Sequence, residues 1–181
     1  MYGVDVLLEE HKRILEFTDL IKRICCHILE GKEVDTQLLK ECIDFGRNYA
    51  DIHHHGKEEK ILFRYMIEKL GPVAEKLVRN GMLVEHDLGR YHLGEWEKAI
   101  EQYEAEAKTE YKLAIITNAS GYADLLKRHA AKEDAVCYAF ALRMLSDEDK
   151  ERINQETEQF EQEKAKVIQE KYLVWLNTQM E

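Results

Sequence analysis

Apolar residues recur every three or four positions along most of this chain, the spacing that lines one face of a helix. The first stripe is Leu7, Leu8, Ile14, Leu15, Ile21 and Cys25, with His11 on it, in a helix expected to open at Asp5 and stop near Glu30, before Gly31. A second row steps through Leu39, Ile43, Gly46, Ala50, His54, Glu58, Ile61 and Tyr65. It runs from about Asp35 or Thr36 to Leu70, where Gly71-Pro72 ends it. Pro72 opens a short helix expected to close at Asn80-Gly81, a common C-terminal signal. The third main helix carries His86, Gly89, Leu93, Trp96, Ile100 and Tyr103 on one row. The fourth, from about Thr109 to Leu145, carries Tyr122, Leu126, His129, Glu133, Val136 and Phe140. Ser146, followed by Asp147, Glu148 and Asp149, starts a fifth helix that becomes apolar at Ile168, Tyr172, Leu173, Val174, Trp175 and Leu176.

Four long helices whose core rows are interrupted by His and Glu describe an all-α fold, an up-down four-helix bundle with a metal site in its core. The bundle is expected over residues 1–145, and residues 146–181 as an additional C-terminal helix of the same domain. The late apolar residues of that helix pack either across the bundle or against a second chain, so a homodimer through it stays open. One Pro and nine Gly in 181 residues agree with mostly helix, and that length buries a real core.

The interrupting residues repeat. Shifting the chain by 75 positions without a gap places His11 on His86, His54 on His129 and Glu58 on Glu133. Neighbours follow: Glu10 falls on Glu85, Lys57 on Lys132 and Glu59 on Asp134. In a helix, residues four apart share a face, so His54 with Glu58 and His129 with Glu133 each present a nitrogen and a carboxylate to one interior space. A carboxylate can bridge two ions while a histidine binds one, so His11, His54, Glu58, His86, His129 and Glu133 suit a two-metal site. Imidazole and carboxylate without thiolate suit iron or manganese better than structural zinc, although raw affinity favours zinc or copper. A single His-x-x-x-Glu on a helix is common and means little; two, duplicated without a gap on four helices, are hard to obtain from surface pairs.

Other residues compete for the same role. His55 with Glu59 has the same spacing and is the rival register, on a row of Ile52, His55, Glu59, Leu62 and Met66; the repeat selects His54 and Glu58. His55 then belongs beside the ligands rather than among them. His27 and His92 read as surface or packing residues, and Tyr49, Tyr65, Tyr122 and Tyr138 as core aromatics, one of which could face the metals.

Charge removes some function classes. A net charge of −10 leaves no basic stripe for nucleic acid, and no apolar run is long enough to span a bilayer. Cys25, Cys26, Cys42 and Cys137 form neither a disulfide framework nor a CxxC motif. Without a signal-peptide pattern, these point to a reduced, cytoplasmic protein.

At Glu85-His86-Asp87, at His54 through Phe63 and at His129 through Tyr138, the chain resembles the hemerythrin-like, or HHE, cation-binding family, over residues from about 5 to 145. That resemblance implies a four-helix bundle around a non-haem di-iron centre, bridged by two carboxylates and usually an oxo or hydroxo group. By motif, the ligands would be His11, His54, Glu58, His86, His129 and Glu133, holding two Fe ions, with Mn or Zn as substitutes. The implied task is binding or reducing a small oxidant such as O2, NO or peroxide. The alternative is an iron or redox sensor, or an iron–sulfur cluster repair-type protein, acting through a protein partner. Oxygen-carrying relatives have a second histidine four residues after the one on the third helix, where this chain has Arg90. The site is therefore expected to be the four-histidine, two-glutamate type, with Arg90 either pairing near the metals or extending outward. The short cysteine-bearing domain of many repair proteins is missing, which tells against a full repair role. Ferritin-like oxidases fit poorly, because only Asp51-x-x-His54 approaches their Glu-x-x-His spacing.

Overall fold

The stripes become five helices in the computed structural model, which describes residues 1–180; the side chains of residues 163–166, 169 and 170 lie outside that description, as does Glu181 at the end of the expected C-terminal span. Helix α1 is Tyr2–Leu29. It opens before Asp5, because Gly3 and Val4 are buried and the Gly3 N–H donates to Asn154 Oδ1 at 3.0 Å, drawing the first turn against the C-terminal helix. Helix α2 covers residues 36–70, with Asp35 accepting from the Leu38 N–H at 2.9 Å and Gly71 ending it at φ 73°. Only glycine takes that backbone conformation without strain.

Helix α3 covers residues 72–105 without a break. The expected stop at Asn80-Gly81 does not occur: Val78 and Met82 pack at 0 % and 3 % exposure, and the chain runs through them in one wide turn, Val78–Met82. Helix α4 covers residues 109–144, and α5 residues 147–180, where Ser146 Oγ accepts from the Asp149 N–H at 3.1 Å.

Wide π-type turns interrupt these rods at Gly46–His55, Glu58–Leu62, Val78–Met82, Glu133–Tyr138 and Gln169–Leu173. Each holds more residues per turn than an α-helix and so rotates the face that follows. This corrects the row expected on α4. Beyond Glu133 the buried positions are Cys137, Tyr138 and Ala141, whereas Val136 is 53 % exposed and Phe140 is only partly covered.

Helix α4 packs on α3 and α1, α2 packs on α3, and α5 crosses α1 and the Glu58–Leu62 turn of α2. At Gly46 a Cβ would stand 2.9 Å from Leu93 Cδ2 and 3.1 Å from Tyr122 Oη, so glycine permits this approach of α2 to α3 and α4. The apolar end of α5 packs inside its own chain: Tyr172 and Leu176 are buried, and Trp175 lies 5.5 Å from Phe45 between ring centres. Of the residues that raised the homodimer, Tyr172 and Leu176 are thus spent on the bundle and Ile168, Leu173 and Trp175 pack against it, while Val174 is 59 % exposed.

Two apolar layers result. One gathers Phe17, Phe45, Trp96 and Tyr122; the other gathers Leu7, Phe63, Met66, Val78 and Tyr138. Every histidine and glutamate singled out by the repeat falls between them along its helix. No helix among the described residues is long and apolar enough to cross a membrane.

Candidate metal centre

The polar layer places His11 on α1, His54 and Glu58 on α2, His86 on α3, and His129 and Glu133 on α4, none more than 3 % exposed. All six converge. Glu133 lies 3.3 Å from His11 Nε2, 3.2 Å from His129 Nε2 and 3.8 Å from His86 Nε2. Glu58 lies 3.8 Å from His54 Nε2 and 3.5 Å from His86 Nε2. The donor atoms form two groups, each within 4.8 Å: His11, His54, Glu58 and Glu133 in one, and His55, Glu58, His86 and His129 in the other. Glu58 belongs to both.

Outside the cluster stands a ring of carboxylates. His11 Nδ1 pairs with Asp134 Oδ1 at 2.7 Å, His54 Nδ1 with Glu10 Oε2 at 2.8 Å, His86 Nδ1 with Glu59 Oε1 at 2.8 Å, and His129 Nδ1 with Glu85 Oε2 at 2.9 Å. Nδ1 of each ring thus faces an outer carboxylate and Nε2 faces the cluster, the arrangement by which a carboxylate orients a ligating imidazole. These partners obey the same shift of 75 as the histidines, and so do the lysines behind them: Lys57 donates to Glu10, Lys132 to Glu85. The sequence already carried that signal in Glu10, Lys57 and Glu59, which repeat with the histidines.

The interior is left wanting a cation. His54 Nε2, His55 Nε2, Glu58 Oε2 and both carboxylate oxygens of Glu133 are buried and lack a hydrogen-bond partner. A dry, unpartnered acceptor costs about 1–3 kcal/mol, and more when charged. Burial, then the charge of Glu133, push the Glu58 carboxyl well above the usual range. Burial opposes charge on Glu133 too, but His11 and His86 hold it well below that range. Burial also works against a proton on His11, yet Asp134 and Glu133 raise it to about 10. Protons and imidazolium here balance carboxylates as a metal would, and the nitrogen and oxygen donors fit a metal ion.

Residues outside the repeat resolve unevenly. His54 and His55 were rival registers for the inward position, with His55 expected beside the ligands; both are buried inside. The wide turn Gly46–His55 lies where α1, α3, α4 and α5 all press on α2, so three consecutive imidazoles find three neighbours. His53 faces α5 and Glu10, with Nε2 2.9 Å from Glu10 Oε1; His54 faces α1; His55 stacks on His86, ring centres 3.8 Å apart. Arg90 binds Asp51 and Glu59, each at 2.7 Å, so it braces the outer carboxylates rather than entering the cluster. Of the four tyrosines considered, Tyr138 faces the site and donates to Glu58 Oε1 at 2.6 Å. His92 pairs with Asn118 at 3.2 Å and His27 is exposed, as expected of packing and surface residues.

Comparison with family models matches residues 2–141 to the hemerythrin HHE cation binding domain. Searches of curated proteins and of solved structures give no match.

Proposed function

Because this chain belongs to the hemerythrin HHE cation-binding family and its buried cluster fits a metal, we propose that it is a non-haem di-iron protein that binds or reduces a small oxidant: O2, NO or peroxide. His11, His54, Glu58, His86, His129 and Glu133 would hold the ions, and Glu58 belongs to both groups of donor atoms. The observation that carries this reading is the set of inward, unpartnered donors, with four of the five inward nitrogens and carboxylate oxygens that lack partners belonging to these six residues. Iron supplies the redox chemistry and the coordination position for a diatomic or peroxide ligand.

The chain's own part is restraint. Four outer carboxylates hold the imidazole rings through Nδ1, so Nε2 of each points inward before any ion arrives. Tyr138 pins Glu58 through Oε1 and leaves Oε2 toward the imidazoles. Two apolar layers keep bulk water out and restrict entry to small molecules. Cys25, Cys26, Cys42 and Cys137 are free thiols, which suits a reducing, cytoplasmic setting.

The test is metal content by mass spectrometry on protein from iron-supplemented cells, with a visible spectrum. Two irons per chain with a ferric charge-transfer band that changes on adding NO or peroxide support the reading. Iron-loaded protein that shows neither band nor response sinks it.

A second reading, a metal-state sensor, draws on Lys57. Its ammonium donates to Glu10, which orients His54, and to Glu161 on α5, so the outer shell is tied to the C-terminal helix. Hydrogen exchange of α5 that is the same in loaded and metal-free protein removes that reading.

A further inference from the structure

Among the described residues, the outer ring, the lysines and the repeat ligands all obey one pseudo-twofold relation, and a small group of residues breaks it. The counterpart of His55 is Ala130, that of Asp51 is Leu126, and that of Arg90 is Leu15. The three that break the symmetry touch one another. His55 Nδ1 pairs with Asp51 Oδ1 at 3.3 Å, Asp51 pairs with Arg90, and Arg90 reaches Glu59, which orients His86. One half of the site thus has a built addition, and the other half has apolar side chains in its place.

Resting on the di-iron reading above, we infer that His55 is a further metal ligand, directed to the same ion position as His86 and His129. The alternative is a histidine stacked in the core, and the ring does lie within 9° of parallel to His86. Buried ring nitrogens are as a rule hydrogen-bonded, and besides Nδ1 of His53 the histidine exceptions among the described residues are Nε2 of His54 and of His55. His55 is 3 % exposed, spends Nδ1 on Asp51 and leaves Nε2 buried and unpartnered, in one group with His86 Nε2, His129 Nε2 and Glu58. It thus has the same construction as His54: an outer carboxylate on Nδ1, and a bare Nε2 facing the cluster.

The two ion positions are then unequal. One draws three imidazoles from His55, His86 and His129 with Glu58; the other draws two from His11 and His54 with Glu58 and Glu133. The first is the more nitrogen-rich and favours later first-row ions; the second is harder and oxygen-rich. Arg90, standing where a second third-helix histidine would be, supports the substitute through Asp51.

The probe is Co(II) alone, titrated into metal-free protein and read by its d–d absorption and by bound metal per chain. Wild-type protein binds two Co(II) in two resolved phases. His55→Ala keeps one phase unchanged and weakens the other by about ten- to a hundred-fold or more, with an altered d–d band. Asp51→Asn weakens that same phase to a lesser degree, and His55→Gln, which keeps the volume, serves if the alanine variant fails to fold. Folded His55 variants that take up both ions with wild-type affinity and bands overturn the inference and leave the di-iron reading standing. Wild-type protein that binds fewer than two ions overturns the di-iron reading itself, and this inference with it.

Discussion

Lys57 and Lys132 occupy equivalent places in the repeat and donate to equivalent glutamates, Glu10 and Glu85, yet Lys57 is 1 % exposed and Lys132 49 %. The difference is α5, which covers the first half of the site and leaves the second open. Removing one partner from a buried ion pair strands the other, at a cost of about 3–5 kcal/mol, while an exposed pair contributes about 1 kcal/mol or less. Lys57→Met is therefore expected to destabilise the chain by about 3 kcal/mol in urea, because Glu10 and Glu161 lose their shared cation. Lys132→Met should cost no more than about 1 kcal/mol. Equal losses would contradict this account of the asymmetry.

Metal removal is expected to lower stability steeply. Buried carboxylates with unpartnered oxygens are tolerated best when a cation neutralises them, and an ion bound only by the folded chain adds about 4 kcal/mol per site at a thousandfold excess over Kd. Melting with and without chelator checks this. Coincident melting curves would mean that the cluster is content without metal.

Tyr138→Phe deletes the hydroxyl that donates to Glu58 Oε1 and keeps the ring. The metal-free protein should lose about 1–3 kcal/mol, the cost of leaving a buried acceptor bare. Ion stoichiometry should stay unchanged while the absorption band shifts, since Tyr138 touches the proposed ligand Glu58 and is not among the proposed ligands. Loss of an ion in this variant would place the phenol oxygen among the ligands instead.

Leu176 on α5 is fully buried against the α1 and α2 core. Leu176→Ala is expected to cost about 2–5 kcal/mol in one cooperative unfolding transition. If α5 were an appendage, the bundle would melt where it did before and a separate early transition would appear.

What the sequence discloses here tracks what its periodicity can carry. A spacing of three and four reads an α-helix well, so α1 and the rows through Leu39–Ala50 and His86–Ile100 are recovered. It reads a wide turn badly: Val136 and Phe140 were placed inside because the row was continued at α-helical pitch past Glu133, where the chain has already turned on. The same blindness made His54 and His55 look like competing registers, when a wide turn on a surrounded helix buries both. The Asn80-Gly81 stop failed for a different reason: packing of Val78 and Met82 outweighs a local breaker. The outer carboxylates were legible all along, because Glu10, Glu59, Glu85 and Asp134 repeat with the histidines they hold.

The carboxylate ring has one more property. Glu10 holds His54 and Glu85 holds His129 within one helical hairpin each, but Asp134 holds His11 and Glu59 holds His86 across the seam between hairpins. Each hairpin alone can aim one of its two outer-held imidazoles and leaves the other ring loose. Neither half aims both of its imidazoles until it meets its counterpart, so the full set of inward Nε2 atoms exists only where the two hairpins are docked.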